Sequence, residues 1–529
     1  QAKVGSELST VDGGKVYSVS GQFSKKNMAS QFSASQRKQG DYELASGAHE
    51  KELENSDVKM QNVNAGFAWF KDDLEVGIAV SKMHNQFGLP GHEHHDAADV
   101  PVDPAAEPAD EEAARVKMDQ TRLDVSANWL VNAGPWQSLN WKMGLVDYAH
   151  TEGHEEDEDE APVADEHDHS GLTEFKRKAL ESRLSANYQV NQQQGVLGLQ
   201  LNNSDFSAHG GEAIVPNTKT TQLAVFAMHG LQVSNDLNVE LAARLERNNH
   251  DVDISELDSE HLSECDTTKA DVKDREFNHY SLSSGVHFKV NNQFTLRSNV
   301  SQVSRAPAAQ ELYSCGAHES TLSFEIGDSN LKNESALTMD AGLAWQFNNW
   351  SADVSVYRNN FSDFIYQQNL AKQIDGLDAY KYSQQDAHLQ GYEVNVAHAF
   401  QSGWQVQVFA DSVIAKFDKG VLKDQYLPRM PADRVGLDVS FHHYLWNVYA
   451  RATHYQKQDK LAGFETATAG FDLLNVGANY VLPTRSGELK LYGVIQNALD
   501  EEMAYHTSFV KDVVSQPGRN IKLGVTYSF

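Results

Sequence analysis

The 529 residues carry 44 Lys and Arg against 74 Asp and Glu, a formal net charge of -30, with 40% hydrophobic residues. That charge excludes nucleic acid as a partner, because phosphate binding needs a basic face, and no run approaches the roughly 20 apolar residues of a membrane helix. A mean hydropathy of -0.53 leaves a membrane β-barrel open, since a barrel strand needs apolar residues only at alternate positions.

In chain order, a first strand is predicted at Lys3 to Thr10. Short turns follow around Lys71-Asp72-Asp73, Asn132-Ala133-Gly134-Pro135, Asn191-Gln192-Gln193, Ser234-Asn235-Asp236, Asn291-Asn292, Asn348-Asn349 and Gln401-Ser402-Gly403. These Asn, Asp and Gly pairs are hairpin chemistry. Between them lie long polar connections at 40–57, 88–117, 151–173, 250–275, 305–335, 364–380, 417–429, 459–469 and 501–517. The intervening segments alternate. Leu237, Val239, Leu241, Ala243 and Leu245 interleave with polar residues, as do Trp404, Val406, Val408 and Ala410, and finally Ile521, Leu523, Val525, Tyr527 and Phe529. A period of two puts each set on one strand face. A soluble sandwich has no reason to be long-looped at one end only. About 22 strands with that asymmetry predict an all-β transmembrane antiparallel barrel in a Gram-negative outer membrane, apolar faces against lipid, with short periplasmic turns and long extracellular loops.

Two connections carry the ligand chemistry. One runs Gly91-His92-Glu93-His94-His95-Asp96; the other has His150, Glu152, His154, the acidic run 155–160, then His167, Asp168 and His169. Acidic residues alone would read as solvated loop tips. Seven of the 22 histidines fall here, however, and neutral imidazole with carboxylate is the ligand set of zinc and related divalent ions. We therefore expect these loops to recruit metal. Nearer the lumen, His318, Glu319, Glu325 and His506 are candidates for an ordered site, each weighed against being ordinary polar surface. The only cysteines, Cys265 and Cys315, fall in sequence-adjacent long connections. In an oxidising compartment we expect a disulfide between them; the alternative is a pair of thiolate ligands. No Ser-His-acid arrangement, phosphate loop or paired catalytic carboxylates emerge, so no enzyme and no bound cofactor are expected.

The segments 304–313, Phe324-Glu325-Ile326-Gly327 with Asn330-Leu331 and Glu334, Leu427-Pro428-Arg429-Met430-Pro431 and Asn497-Ala498-Leu499-Asp500 resemble the barrel motifs of TonB-dependent outer-membrane receptors. The likeness runs from about residue 3 to 529. Within that family, the His/Asp-rich loop after Gly88-Leu89-Pro90-Gly91 and the segment Tyr505-His506-Thr507-Ser508-Phe509-Val510-Lys511-Asp512 resemble zinc receptors of the ZnuD type. The resemblance implies zinc captured at the surface and carried inward with energy relayed by TonB. Such receptors hold an N-terminal plug. Here the sequence passes directly into strand one, and we expect residues 1–529 to be barrel without it, although a barrel this wide would then be an open pore. The rival readings are a receptor for a metal chelate, siderophore or haem, and a passive plugless porin.

Overall fold

The structure, a computed structural model, describes residues 1–91, 114–153, 172–211, 213–255, 257 and 259–529. Twenty-two antiparallel strands form a closed barrel. Each strand pairs with its neighbours in sequence, and the first, Ala2–Ser9, closes on the last, Asn520–Ser528, in the register Lys3 to Ser528 through Ser9 to Lys522. Closure leaves no strand edge, so the backbone N–H and C=O groups of the wall are paired inside the protein.

The hairpin turns use the predicted chemistry. Asp72, Asn132, Asn191 and Asn348 all take positive φ, from 45° to 55°, the left-handed region that tight hairpins need and that Asn and Asp tolerate. The opposite end carries the long connections. All eight tryptophans (69, 129, 136, 141, 345, 350, 404 and 446) lie near the short-turn end, and Trp404, Phe441 and Trp446 pack ring to ring there. Indole prefers the boundary between hydrocarbon and water, so this girdle marks one membrane interface.

Along the wall, apolar side chains point outward and stay exposed: Leu199, Leu223, Leu245, Leu282 and Leu523 are each at least half uncovered. So much exposed apolar surface fits a lipid-facing wall. The inward face is polar. Arg122 pairs with Asp124 at 2.9 Å and Glu181 at 3.4 Å, and Arg244 pairs with Glu246, which also lies 3.5 Å from His279. The two hydrophobic clusters found among the described residues lie at the long-loop end.

One expectation is corrected. The segment 364–380 is not a loop. Trp350–Ile374 and Leu377–Ala399 form a single hairpin of 25- and 23-residue strands closed by Asp375-Gly376. A strand crosses the bilayer in about 10 residues, so this hairpin projects well past the membrane. Beyond the lipid neither face meets hydrocarbon. The apolar alternation therefore stops while the hydrogen-bond ladder continues, and the polar run Gln367-Gln368-Asn369 reads as loop. Register shifts at Phe361/Phe364 and Asn369/Gln373 bend it on the way.

Adjacent residues test the orientation. Val80 is exposed on the apolar face, and Ser81 faces the lumen across from Asn64. Val80→Arg is expected to destabilise the barrel in lipid vesicles by about 2–4 kcal/mol, and Ser81→Arg by less than about 1 kcal/mol. Equal costs in denaturant titrations would refute the assigned faces.

Candidate functional site

The segment between Arg305 and Glu334 folds inside the long-loop end. Its two ends are tied by one guanidinium. Arg305 grips Glu311 (2.8 and 3.0 Å) and Glu334 (3.1 and 3.2 Å) at once, a doubly bidentate clamp. A five-residue helix, Ala309–Tyr313, leads into the short strands Cys315–His318 and Ser323–Ile326. Gly327 follows where a Cβ would stand 2.6 Å from the Tyr313 nitrogen, a close approach only glycine allows. Leu312, Tyr313, Phe324, Ile326 and Leu331 are buried together with Leu262, Phe277 and Ile365. Strand 323–326 adds in parallel to residues 378–381 of the projecting hairpin. Cys265 and Cys315 form a disulfide, Cα to Cα 5.9 Å, fastening the 253–274 connection to the strand that carries His318.

This packing seats Glu325, which is only 1% exposed. Its carboxylate meets His318 Nδ1 at 2.8 Å and accepts from Gln310 Nε2 and the Tyr382 hydroxyl, both at 3.0 Å. Burial alone would raise its pKa. The hydrogen bond and charge of His318, with the two neutral donors, outweigh burial and hold it below the usual carboxylate range. Burial likewise opposes a charged His318, but Glu325 prevails and its pKa lies above the ordinary 6.5. The other imidazole nitrogen of His318 meets Ser320 Oγ at 2.9 Å.

From Glu325 the contacts run on. Tyr382 accepts from Gln367 Nε2 at 3.1 Å, Gln367 Oε1 accepts from the Arg429 guanidinium at 2.8 Å, and the Arg429 backbone N–H donates to Glu465 at 2.6 Å. Glu465 stands 3.7 Å from His506 Nε2, too long for a hydrogen bond. That buried nitrogen has no hydrogen-bond partner among the described residues, while Nδ1 of the same ring meets Thr468 Oγ1 at 2.7 Å. His318 and His506 are thus the two ends of one polar chain spanning five connections. His150 stacks on Phe175, with its Nε2 3.6 Å from Glu152; His150 Nδ1 and Glu152 Oε1 are buried without hydrogen-bond partners among the described residues.

Of the sequence candidates, the structure joins His318 to Glu325 and links His506 to them indirectly. Among the described residues no three His, Cys, Asp or Glu side chains converge as a preformed metal cage. His92, His94, His95, Asp96, His154, His167, Asp168 and His169 lie outside the described residues, as does the Glu319 side chain. Sequence reasoning missed Gln310, Tyr382, Gln367, Arg429 and Glu465 as site residues. Arg429 had a signal, its place in Leu427-Pro428-Arg429-Met430-Pro431; Tyr382 and Gln367 had none.

Residues 58–498 match the TonB dependent receptor-like β-barrel family. The heme/hemopexin utilization protein C of Haemophilus influenzae (strain 86-028NP) is 26% identical over 291 residues, half of this chain and 39% of that protein. The chain therefore spans about two fifths of the length of that relative. In fold, it superposes over its full length on 80% of the copper transporter OprC (15% identical, TM-score 0.81). It likewise covers 81% of the FrpB iron transporter of Neisseria meningitidis, F3-3 variant (14%, 0.76), and 80% of the siderophore receptor PirA of Acinetobacter baumannii (14%, 0.72). By the extent of the family match, the chain belongs to the TonB-dependent receptor β-barrels of the Gram-negative outer membrane.

Proposed function

We propose that this barrel serves a non-catalytic receptor that captures zinc, or a related divalent metal, at the outer surface and passes it inward with TonB supplying the energy. The observation that carries the reading is the buried Glu325 carboxylate paired with His318, connected through Tyr382, Gln367 and Arg429 to Glu465 and His506. Nitrogen and carboxylate oxygen are zinc's usual non-sulfur ligands. Each pair offers half of a tetrahedral shell, so the ion completes its sphere with other donors. The His/acid loops supply the first capture. Their sequence supports that role, and the excess of 30 negative charges draws cations toward the mouth.

Metal must displace the proton on His318 before its imidazole can coordinate. Because that proton is held above the ordinary 6.5, affinity is expected to climb with pH from about 6 to about 8, with about one proton released per ion. Zinc calorimetry on the detergent-solubilised full-length protein, in buffers of different ionisation enthalpy, measures both quantities. Affinity flat across this range would exclude His318 as a ligand.

Glu325→Gln removes the charge but preserves shape. It is expected to weaken zinc at least about tenfold and to move the pH midpoint downward, because His318 loses the partner that raises its pKa. Deleting residues 92–112 and 154–169 is expected to lower the number of zinc ions bound while sparing the Glu325-dependent one. Unchanged stoichiometry would remove the recruiting role of those loops.

A further inference from the structure

The outer wall carries a row of cations with no acid between them. Lys15, Lys38 and Lys59 stand directly opposite one another on the neighbouring strands Lys15–Lys25, Met28–Gln39 and Val58–Lys71. Each shares its strand face with apolar residues that point into lipid: Tyr17 and Phe23 on the first, Phe32 on the second, Val63 and Phe67 on the third, all exposed. The row therefore faces the membrane and not the lumen. A fourth lysine, Lys82, points the same way from Leu74–Gly88, in register with Val63. All four are exposed.

Their height is also set. Lys15, Lys38 and Lys59 stand about ten residues up their strands from the short-turn end, the span of one bilayer crossing. That level is the outer boundary of the hydrocarbon, at the interface opposite the tryptophan girdle. Lys82 starts two residues lower, and its long stem can lie along the wall to the same level.

The row costs the barrel stability. Neighbouring strands lie about 4.8 Å apart, so three ammoniums share about 10 Å, and like charges directly opposite one another repel. Nothing nearby compensates them. Among the described residues no carboxylate forms an ion pair with any of the four. Asp57, two residues above Lys59, is bidentate on Arg115 at 2.8 and 3.0 Å. Asp12 accepts from Ser9 and Gln39, Asp41 takes the Ser56 N–H at 2.7 Å, and Asp119 meets His84 at 3.1 Å. Farther round the wall, outward lysines are placed differently. Lys178 stands in register between Asp147 and Asp205, and Lys219 between Asp205 and Asp251.

We propose that this row binds the phosphorylated sugar headgroup of an outer-leaflet glycolipid, with phosphates on Lys15, Lys38 and Lys59 and acyl chains along the apolar wall beneath, over Tyr17, Phe32 and Val63. Phosphate is an anion that lysine holds as a point charge. A row about 10 Å long calls for more than one phosphate on one headgroup. The apolar face continues from the lysines directly into the lipid-facing wall, a surface that a free phosphate would not use. Bound lipid would cancel the repulsion that the row otherwise carries. The inference is independent of the cargo proposed above.

The probe is lipid A, an acylated glucosamine disaccharide with two phosphates. It is titrated, with native mass spectrometry as the readout, into full-length protein exchanged into glycolipid-free detergent. Lipid A is expected to bind the wild type at least about tenfold more tightly than phosphatidylglycerol, which carries one phosphate, with monophosphorylated lipid A between them. The triple variant Lys15→Gln, Lys38→Gln, Lys59→Gln is expected to bind lipid A at least about tenfold more weakly, since each lysine beside an anionic lipid surface contributes about fivefold. Lys38→Arg keeps the charge and is expected to keep the binding, and Lys178→Gln is expected to leave it unchanged. Without lipid the triple variant is expected to melt no lower than the wild type, because repulsion is removed; lipid A is expected to raise the melting temperature of the wild type alone. Equal affinity of wild type and triple variant for lipid A overturns the site. Phosphatidylglycerol binding the wild type as tightly as lipid A, a comparison that needs no variant, overturns the glycolipid in favour of a general anionic-surface contact. Displacement of lipid A by millimolar inorganic phosphate overturns it in favour of free phosphate.

Discussion

Everything in this chain follows from one constraint: hydrocarbon offers no partner for a backbone N–H or C=O. A sheet placed in it must close on itself. The pairing of Ala2–Ser9 with Asn520–Ser528, more than 500 residues apart, is where that condition is met. Closure fixes two faces for every strand. One must be apolar, and the other lines a polar lumen where charge is tolerated in pairs such as Arg122 with Asp124 and Glu181. The usual inside-out arrangement of a soluble protein is thereby reversed, and a wall with Leu199 and Leu245 uncovered needs no core beneath it.

Freed from that duty, burial is concentrated where the barrel leaves the membrane. The 306–333 segment, the 253–274 connection and the projecting hairpin bury Phe324, Leu312, Ile365 and their neighbours in a small core of their own. That core has a function the wall could not perform. It holds a carboxylate, Glu325, away from water, where unpaired charge is costly. Four groups share the task of compensating it: His318, Gln310, Tyr382 and, through Gln367, Arg429. The disulfide and the Arg305 clamp keep this segment in register with the wall.

How much of this could be read beforehand depends on which physical force wrote the signal. Alternation is written by lipid, so it located the membrane strands and, with Asn132, Asn191 and Asn348 at the tight turns, their number. Past the lipid the writer is absent. The outer halves of Trp350–Ile374 and Leu377–Ala399 are held by backbone hydrogen bonds and a parallel third strand, which any polar sequence satisfies. The site divides the same way. His318 and Glu325 were legible only as candidate ligand types beside Cys315, with nothing in the sequence to separate them from ordinary polar surface. Tyr382 and Gln367, paired across the projecting hairpin, and Glu465, in a separate connection, are common residues, and only the folded chain brings them to one another.

Composition and local geometry act on this chain at different scales. A chain with 30 excess negative charges attracts cations over long range. At the long-loop end the local arrangement differs. Arg429 lines a cleft together with Asp378, Glu465, Lys511 and Asp512, its guanidinium over the Phe509 ring and its backbone N–H on Glu465. Long-range field and short-range geometry act at different distances: beyond about 10 Å salt screens the first, and hydrogen-bond direction governs the second.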